Sequence, residues 1–358
     1  MTSTSIRPSI GVVVNSFKSE KKILELVLKH IIKSKKILLK SIIIVDYGTS
    51  SDVLNSILSI RPGLIKVINL NKDPGLLSMR VLGLKNTPND IDYVAFIDND
   101  VFITKYTLYD LARTLMVNNT LGSISPIIAS TDATLQWIGT YVDKSCFVIN
   151  EIPPLKYIDR EKHIIYTAYP LGAVFMMPYE TALKTITPCP ELRFWYDDFI
   201  IGLRLWFLKS PPAITLNTLA YHIGGFTRSK KNIYNIKKYL RKNVFEYYRS
   251  RLIACKHIFG SESLLVITPL VLLDILRFNF LPELFGKKNK LTTLYSLLGL
   301  LSGIKASSRV HVWLKKHGVE DSLVKNMFRQ GLGLHIRFIF TSMGKKYKRL
   351  FSLKITKH

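Results

Sequence analysis

From Ile10 to about Asp100 the chain alternates between two hydrophobic periods. The segments "IGVVVNSF", "LKSIIIVDYGTSSD", "IKVINL" and "YVAFIDND" each contain an apolar run rich in β-branched residues. Successive side chains of a strand point to opposite faces, so an unbroken apolar run marks a strand covered on both. The intervening "EKKILELVLKHIIKS", "SDVLNSILSI" and "SMRVLGLKNT" repeat their apolar residues at helical spacing instead. Strands joined through helices predict an α/β domain, a mostly parallel sheet flanked by helices. Ligands of such sheets bind beyond the carboxyl ends of the strands. Ser16, Asp46, Asp98 and Asp100 each close a predicted strand, and so share one rim of the sheet.

Past residue 226 the pattern changes. "NIYNIKKYLRKNVFEYYRSRLIACKHIF" interleaves basic and aromatic residues at helical spacings, while "SLLVITPLVLLDILRFNFLPELF" and "LTTLYSLLGLLSGI" carry more apolar surface than a small solvated helix needs. Residues 1–226 are expected to form the α/β domain and residues 227–358 a mainly helical region, with Pro269 kinking or interrupting its helix. No uncharged apolar run reaches the roughly 18 residues of a membrane-spanning helix. The apolar stretch near the N-terminus is too short for the core of a secretion signal.

Charge sharpens the division. Of the formal net charge of +26, residues 1–226 carry 24 Lys and Arg against 19 Asp and Glu, a net of +5; residues 227–358 carry 27 against 6, a net of +21. Such a bias marks a partner rich in negative charge. Basic residues interleaved with apolar helical stretches fit an anionic membrane surface better than nucleic acid, and place the protein peripherally on the cytoplasmic membrane face. A helical subdomain that packs its apolar faces internally, or pairs them in a homo-oligomer, is the alternative. Cys146, Cys189 and Cys255 show neither zinc-type spacing nor a disulfide framework, which fits a reducing compartment.

Carboxylates gathered on one rim repel one another unless a cation lies among them. A hard ion such as Mg²⁺ or Mn²⁺ takes one or two carboxylates and completes its shell with substrate phosphates, a role that suits Asp98 and Asp100. A solvated Asp-Asn-Asp turn is the plainer alternative.

In their order along the chain, "VDYGTSSD", "NKDPGLLSMRVLG", "FIDND", "FWYDDFIIGLRLW" and "YHIGG" resemble family 2 glycosyltransferases of the GT-A, Rossmann-like fold, over roughly residues 9–251. The resemblance implies inverting, metal-dependent transfer of a sugar, of the hexosyl class, from a nucleoside-diphosphate sugar to a glycan or lipid-linked acceptor hydroxyl. It implies donor contacts from Ser16, Asp46, Arg80 and Asp98, and a metal held by Asp98 and Asp100, with His222 either ligating that metal or touching the diphosphate. Gly172 and Ala173 match the small residues beneath the sugar. Asp197 and Asp198 fall on the family's acidic pair, whose second member is the base, and Arg204 on the arginine that follows. Gly224 and Gly225 would leave a flexible loop over the donor, where Arg228, Lys230 and Lys231 could neutralise leaving-group charge; a solvated basic loop is the plainer alternative.

The chain departs from the family pattern at Ile200, where a further Asp is usual, and at Ser16, Phe17 and Lys18, which stand for Thr-Tyr-Asn. On residues alone, Asp197 or Asp198 could also cap a helix. Two further readings remain beside the main one: transfer to a polyprenyl phosphate, whose ionised oxygen needs no base, and a non-catalytic sugar-nucleotide or glycan-binding protein.

Overall fold

The apolar runs become the middle of one large sheet. The computed structural model of the chain describes residues 7–142, 148–149, 158–189, 191–193, 195–223, 241–259, 264–284 and 291–306. The expected domain boundary near 226, the loop from Gly224 to Lys231, Cys146 and the basic tail beyond 306 lie outside them. Strands β1 (Ser9–Phe17), β2 (Leu38–Tyr47), β3 (Ile65–Leu70) and β4 (Tyr93–Asp98) run parallel in the order β3-β2-β1-β4. They are linked through α1 (Lys21–Ile32), α2 (Ser51–Leu58) and α3 (Leu76–Lys85).

Beyond β4 the sheet becomes mixed. The chain continues through β5 (Val101–Ile103), α4 (Thr107–Val117), β6 (Ser123–Ala129), β7 (Leu135–Trp137), β8 (Tyr141–Val142) and β9 (Val148–Ile149). It goes on through β10 (Ile158–Asp159), β11 (Ile164–Tyr166), β12 (Val174–Pro178), α5 (Tyr179–Thr185), α6 (Asp197–Phe207) and β13 (Pro212–His222). β12 inserts antiparallel between β4 and β6, giving the order β10-β11-β13-β6-β12-β4-β1-β2-β3. Its register, Val174 against Ile97, brings Ala173 beside the end of β4, where the Asp98 amide donates to the Ala173 carbonyl at 2.9 Å.

Residue parity sorts the core into two layers. Val13, Val45, Phe96 and Phe175 face a cluster covered by α3, α5 and α6, while Val12, Ile44, Ile97 and Val174 face one covered by α1, α2 and α4. Both faces are apolar, which is why the strands read as unbroken runs.

The C-terminal helices are built onto the first layer. A π-helical turn (Arg241–Phe245) leads into α7 (Glu246–Phe259), and α8 (Leu264–Ile275) continues through a second π-helical turn (Leu276–Phe280) into α9 (Leu281–Leu284); α10 (Thr292–Lys305) follows. Leu252, Val271 and Leu300 join the same apolar cluster as α3 and α6. Pro269 lies inside α8 without interrupting it, and the helix changes its pitch later, at Leu276. No described helix is long and apolar enough to cross a membrane.

Seating α6 requires a glycine. A Cβ on Gly202 would stand 2.2 Å from Tyr169 Cβ and 2.5 Å from the Ala168 carbonyl oxygen. Helix propensity alone would favour Ala there by about 1 kcal/mol. Overpacking against backbone costs about 1–3 kcal/mol, and the second effect should win. We expect Gly202→Ala to lower the urea midpoint; an unchanged or raised midpoint would contradict this packing.

Candidate active site

Arg80 sits on the inner face of α3 and is fully buried. Its Nη1 is ion-paired with Asp197 Oδ2, its Nη2 donates to the Gly172 carbonyl at 2.8 Å, and its guanidinium lies 5.3 Å from the centre of the Phe175 ring. A guanidinium out of water needs this kind of enclosure, with a counter-charge, a carbonyl and an aromatic face.

Asp98 is two residues beyond Phe96, so parity turns it toward the same layer. Its β1 register partner is Asn15. Burial pushes the Asp98 carboxyl up to about 7; Arg80 and His222 pull it down, and Asp100 and Asp197 push it further up. Asp98 Oδ1 and both amide atoms of Asn15 are buried without a hydrogen-bond partner. Such unmet polar atoms where two strands reach the rim are suited to a ligand.

Ser16 and Asp46 belong to the opposite face, with Val14 and Ile44. Asp46 is fully buried, accepts the Ser16 hydroxyl, and also accepts the Thr49 amide at 3.1 Å and the Thr49 hydroxyl at 2.5 Å. Ser16 Oγ lies 2.7 Å from Ser19 Oγ, which in turn accepts the Asn99 amide. The middle residue of the Asp-Asn-Asp turn therefore ties that turn to the end of β2.

Pairing of β5 with β13, Val101 against His222, draws His222 to Asp100, with Nε2 3.3 Å from Asp100 Oδ1. Gln136 holds the other side of the ring. Its amide nitrogen donates to the His222 carbonyl at 3.0 Å, leaving Gln136 Oε1 to accept from Nδ1 at 3.2 Å. A neutral imidazole protonated at Nδ1 presents its Nε2 lone pair to a carboxylate oxygen, an arrangement that calls for a proton or a cation between them. Among the described residues, no three His, Cys, Asp or Glu side chains cluster closely enough to hold a metal by themselves.

The acidic pair opens α6. Trp195 and Tyr196 enter it with φ of 63° and 65°, a left-handed conformation rare for aromatic residues. Tyr196 packs on Phe199 and on Tyr247 of α7, and Trp195 packs edge-on to Tyr247. Asp197 and Asp198 have divergent surroundings. Asp197 is buried against Arg80, whereas Asp198 is half-buried, with Oδ1 accepting the Phe199 amide at 2.8 Å. Burial, and then the Asp197 carboxylate, push the Asp198 carboxyl up to about 7 against the pull of Arg80 and of the Phe199 and Gly172 amides. A Cβ on Gly172 would come within 3.2 Å of both Arg80 Nη2 and Asp198 Oδ2.

The structure thus assembles Asp98, Asp100, His222, Arg80, Gly172, Ala173, Asp197 and Asp198. It does not bring Arg204 among them. Arg204 stands seven residues beyond Asp197 on α6, is 1% exposed, and donates to the carbonyls of Thr185 and Thr187 at 2.8 and 2.9 Å. Its position between Leu203 and Leu205 in an apolar helix is the sequence signal of an interior role. Gln136 and the exposed Trp195 carried no signal in the sequence.

The family model for Glycosyl transferase family 2 matches residues 12–178. Among solved structures, GalNAc-T7 with UDP, GalNAc and Mn²⁺ is 15% identical with a TM-score of 0.63, covering 93% of this chain and 58% of that one. S. aureus TarS 1–349 is 15% identical with a TM-score of 0.52, covering 90% of this chain and 92% of that one. The chain therefore spans little more than half of the GalNAc-T7 chain, and at these identities the likeness is one of fold, a mixed, mostly parallel GT-A sheet with a helical C-terminal part. No curated protein matches the chain.

Removing the buried cation should be costly. Arg80→Met leaves the Asp197 carboxylate buried and unpaired, a loss of about 3–5 kcal/mol. Without Arg80 the folded Asp98 carboxyl rises further above its unfolded value, so the folded state holds more protons and loses stability as the pH rises. Urea unfolding should show the deficit growing as the pH rises through about 7, where Asp98 of the unaltered protein loses its proton and that of the variant keeps it; a pH-independent deficit would contradict this role of Arg80.

Proposed function

We propose that this chain, whose residues 12–178 form a Glycosyl transferase family 2 domain, moves a sugar from a nucleoside-diphosphate sugar to an acceptor hydroxyl by direct displacement, with Asp198 as the base. The observation that carries this reading is the asymmetry of the acidic pair. Arg80 neutralises Asp197, while Asp198 stays partly open with a carboxyl held up near 7. A base poised near the working pH is the one best able to take a proton during the reaction.

Asp198 would accept the acceptor's hydroxyl proton as that oxygen attacks the anomeric carbon. The bond from that carbon to the diphosphate oxygen breaks on the opposite face, its electron pair leaving with the nucleoside diphosphate, and the configuration inverts. Gly172, having no side chain, leaves room beside the carboxylate. Asp197 serves as a positioning residue that fixes Arg80 and, through it, the Gly172 carbonyl.

Asp98, Asp100 and His222 fit a divalent ion such as Mg²⁺ or Mn²⁺. Asp98 Oδ1 lacks a partner, Asp100 faces the His222 Nε2 lone pair, and hard ions complete their shell with substrate phosphates. The chemistry that an ion supplies there when bound is neutralisation of charge on the departing diphosphate. The network from Asn99 through Ser19 and Ser16 to Asp46 would shape the nucleoside end of the donor site.

Asp198→Asn should keep nucleotide binding by calorimetry but lower transfer by roughly 10² or more. Near wild-type turnover would remove Asp198 from the mechanism and favour an acceptor that is already ionised, a polyprenyl phosphate. In the unaltered protein, turnover should climb as the pH passes about 7, where Asp198 loses its proton, and the Asn variant should lack that limb. Separately, Asp98→Ala and Asp100→Ala should each abolish Mn²⁺-dependent nucleotide binding; unchanged binding in both would sink the metal assignment.

A further inference from the structure

The outer C-terminal helices are apolar on two sides: Ile267, Val271, Ile275 and Leu300 pack inward, and a second set of apolar side chains faces out. Between residues 264 and 284 every exposed described residue is apolar, in a row that includes Leu265, Leu272, Leu276, Phe280 and Leu284, while Asp274 and Asn279 are buried. In α10 the leucines at 294, 297, 298 and 301 are exposed at one-face spacing, while Thr292, Ser296, Gly299 and Gly303 are buried. Of the 20 large hydrophobic side chains exposed among the described residues, 11 lie on these two stretches, so the surface is a patch and not scatter.

Inward-facing polar groups pair with one another across the helices. Arg251 pairs with Asp274 at 2.5 Å, and Asn279 donates to Tyr248 Oη at 2.7 Å and to Ser296 Oγ at 3.0 Å. A helical layer that is apolar outside as well as inside is stable where the outer medium is itself apolar.

Charge selects the medium. A second copy of a chain carrying +26 is repelled, whereas an anionic surface is attracted, and residues 227–358 hold a net of +21. The sequence between Leu284 and Leu291 reads "FGKKNK", and Lys305 is exposed at the end of the α10 leucine row. No described helix is long and apolar enough to span, which leaves an orientation along the surface.

We propose that residues 264–284 and α10 lie flat on an anionic lipid bilayer, with the leucine rows in the boundary between headgroups and acyl chains and Lys305 at the lipid phosphates. This goes beyond the transfer reaction and can fail without it, because docking is read without turnover.

The test is flotation of the full chain with vesicles of phosphatidylcholine containing 30% phosphatidylglycerol, with pure phosphatidylcholine vesicles beside them. The unaltered protein should float with the anionic vesicles and lose at least tenfold in bound fraction on pure phosphatidylcholine. A variant with Leu272→Glu, Leu276→Glu and Leu297→Glu should keep its melting temperature and lose at least tenfold on anionic vesicles. Equal flotation of variant and parent, or no flotation of either, would overturn the proposal. Unfolding of the variant, or a dimer by light scattering that the variant dissociates, would overturn it too, since either would show that the rest of the chain or a second copy already covers the face.

Discussion

A buried guanidinium needs partners in place of the water it has lost, and the site is arranged around those that the two Nη groups of Arg80 find. It takes its charge partner from the first turn of α6, its carbonyl from the segment before β12 and its aromatic face from β12 itself. Two regions distant in sequence, the start of β12 and the first turn of α6, are thereby fixed against α3. Two carboxylates that are neighbours in sequence then become chemically unlike. Asp197 is matched to a cation and closed in, while Asp198 keeps an open side and a carboxyl that burial holds up near neutrality.

The same cation answers the crowding of acidic groups on the rim. The sheet divides them by parity, with Asp46 sent to the α1–α2 layer and met by hydroxyls, and Asp98 to the α3–α6 layer near Arg80. Asp100 is set apart again, opposite His222. Electrostatic relief is therefore local at each carboxylate. Asp98 Oδ1 is the carboxylate oxygen of this group that stays buried without a hydrogen-bond partner.

The first four strands and their helices were legible because two-sided burial leaves unbroken apolar runs in the sequence. The rest of the sheet was not, since the insertion of β12 between β4 and β6 depends on pairing between distant segments and leaves no local period. The Asp-Asn-Asp turn and the acidic pair could be picked out by residue type and order. Their division of labour could not, because it depends on which carboxylate meets Arg80. A sign of that was present all the same. Arg80 lies three residues after Leu77 and four before Leu84, on the apolar face of α3, where a charged residue has to be enclosed. Pro269 does not end α8, since the helix continues through a residue that local preference would use to stop it.

Double-mutant cycles on folding stability test the division of the acidic pair most directly, one cycle combining Arg80→Met with Asp197→Asn and the other combining it with Asp198→Asn. Coupling between Arg80 and Asp197 should exceed about 1 kcal/mol, with that between Arg80 and Asp198 no more than half as large. Equal couplings, or the larger one at Asp198, would mean that Arg80 does not distinguish the two carboxylates.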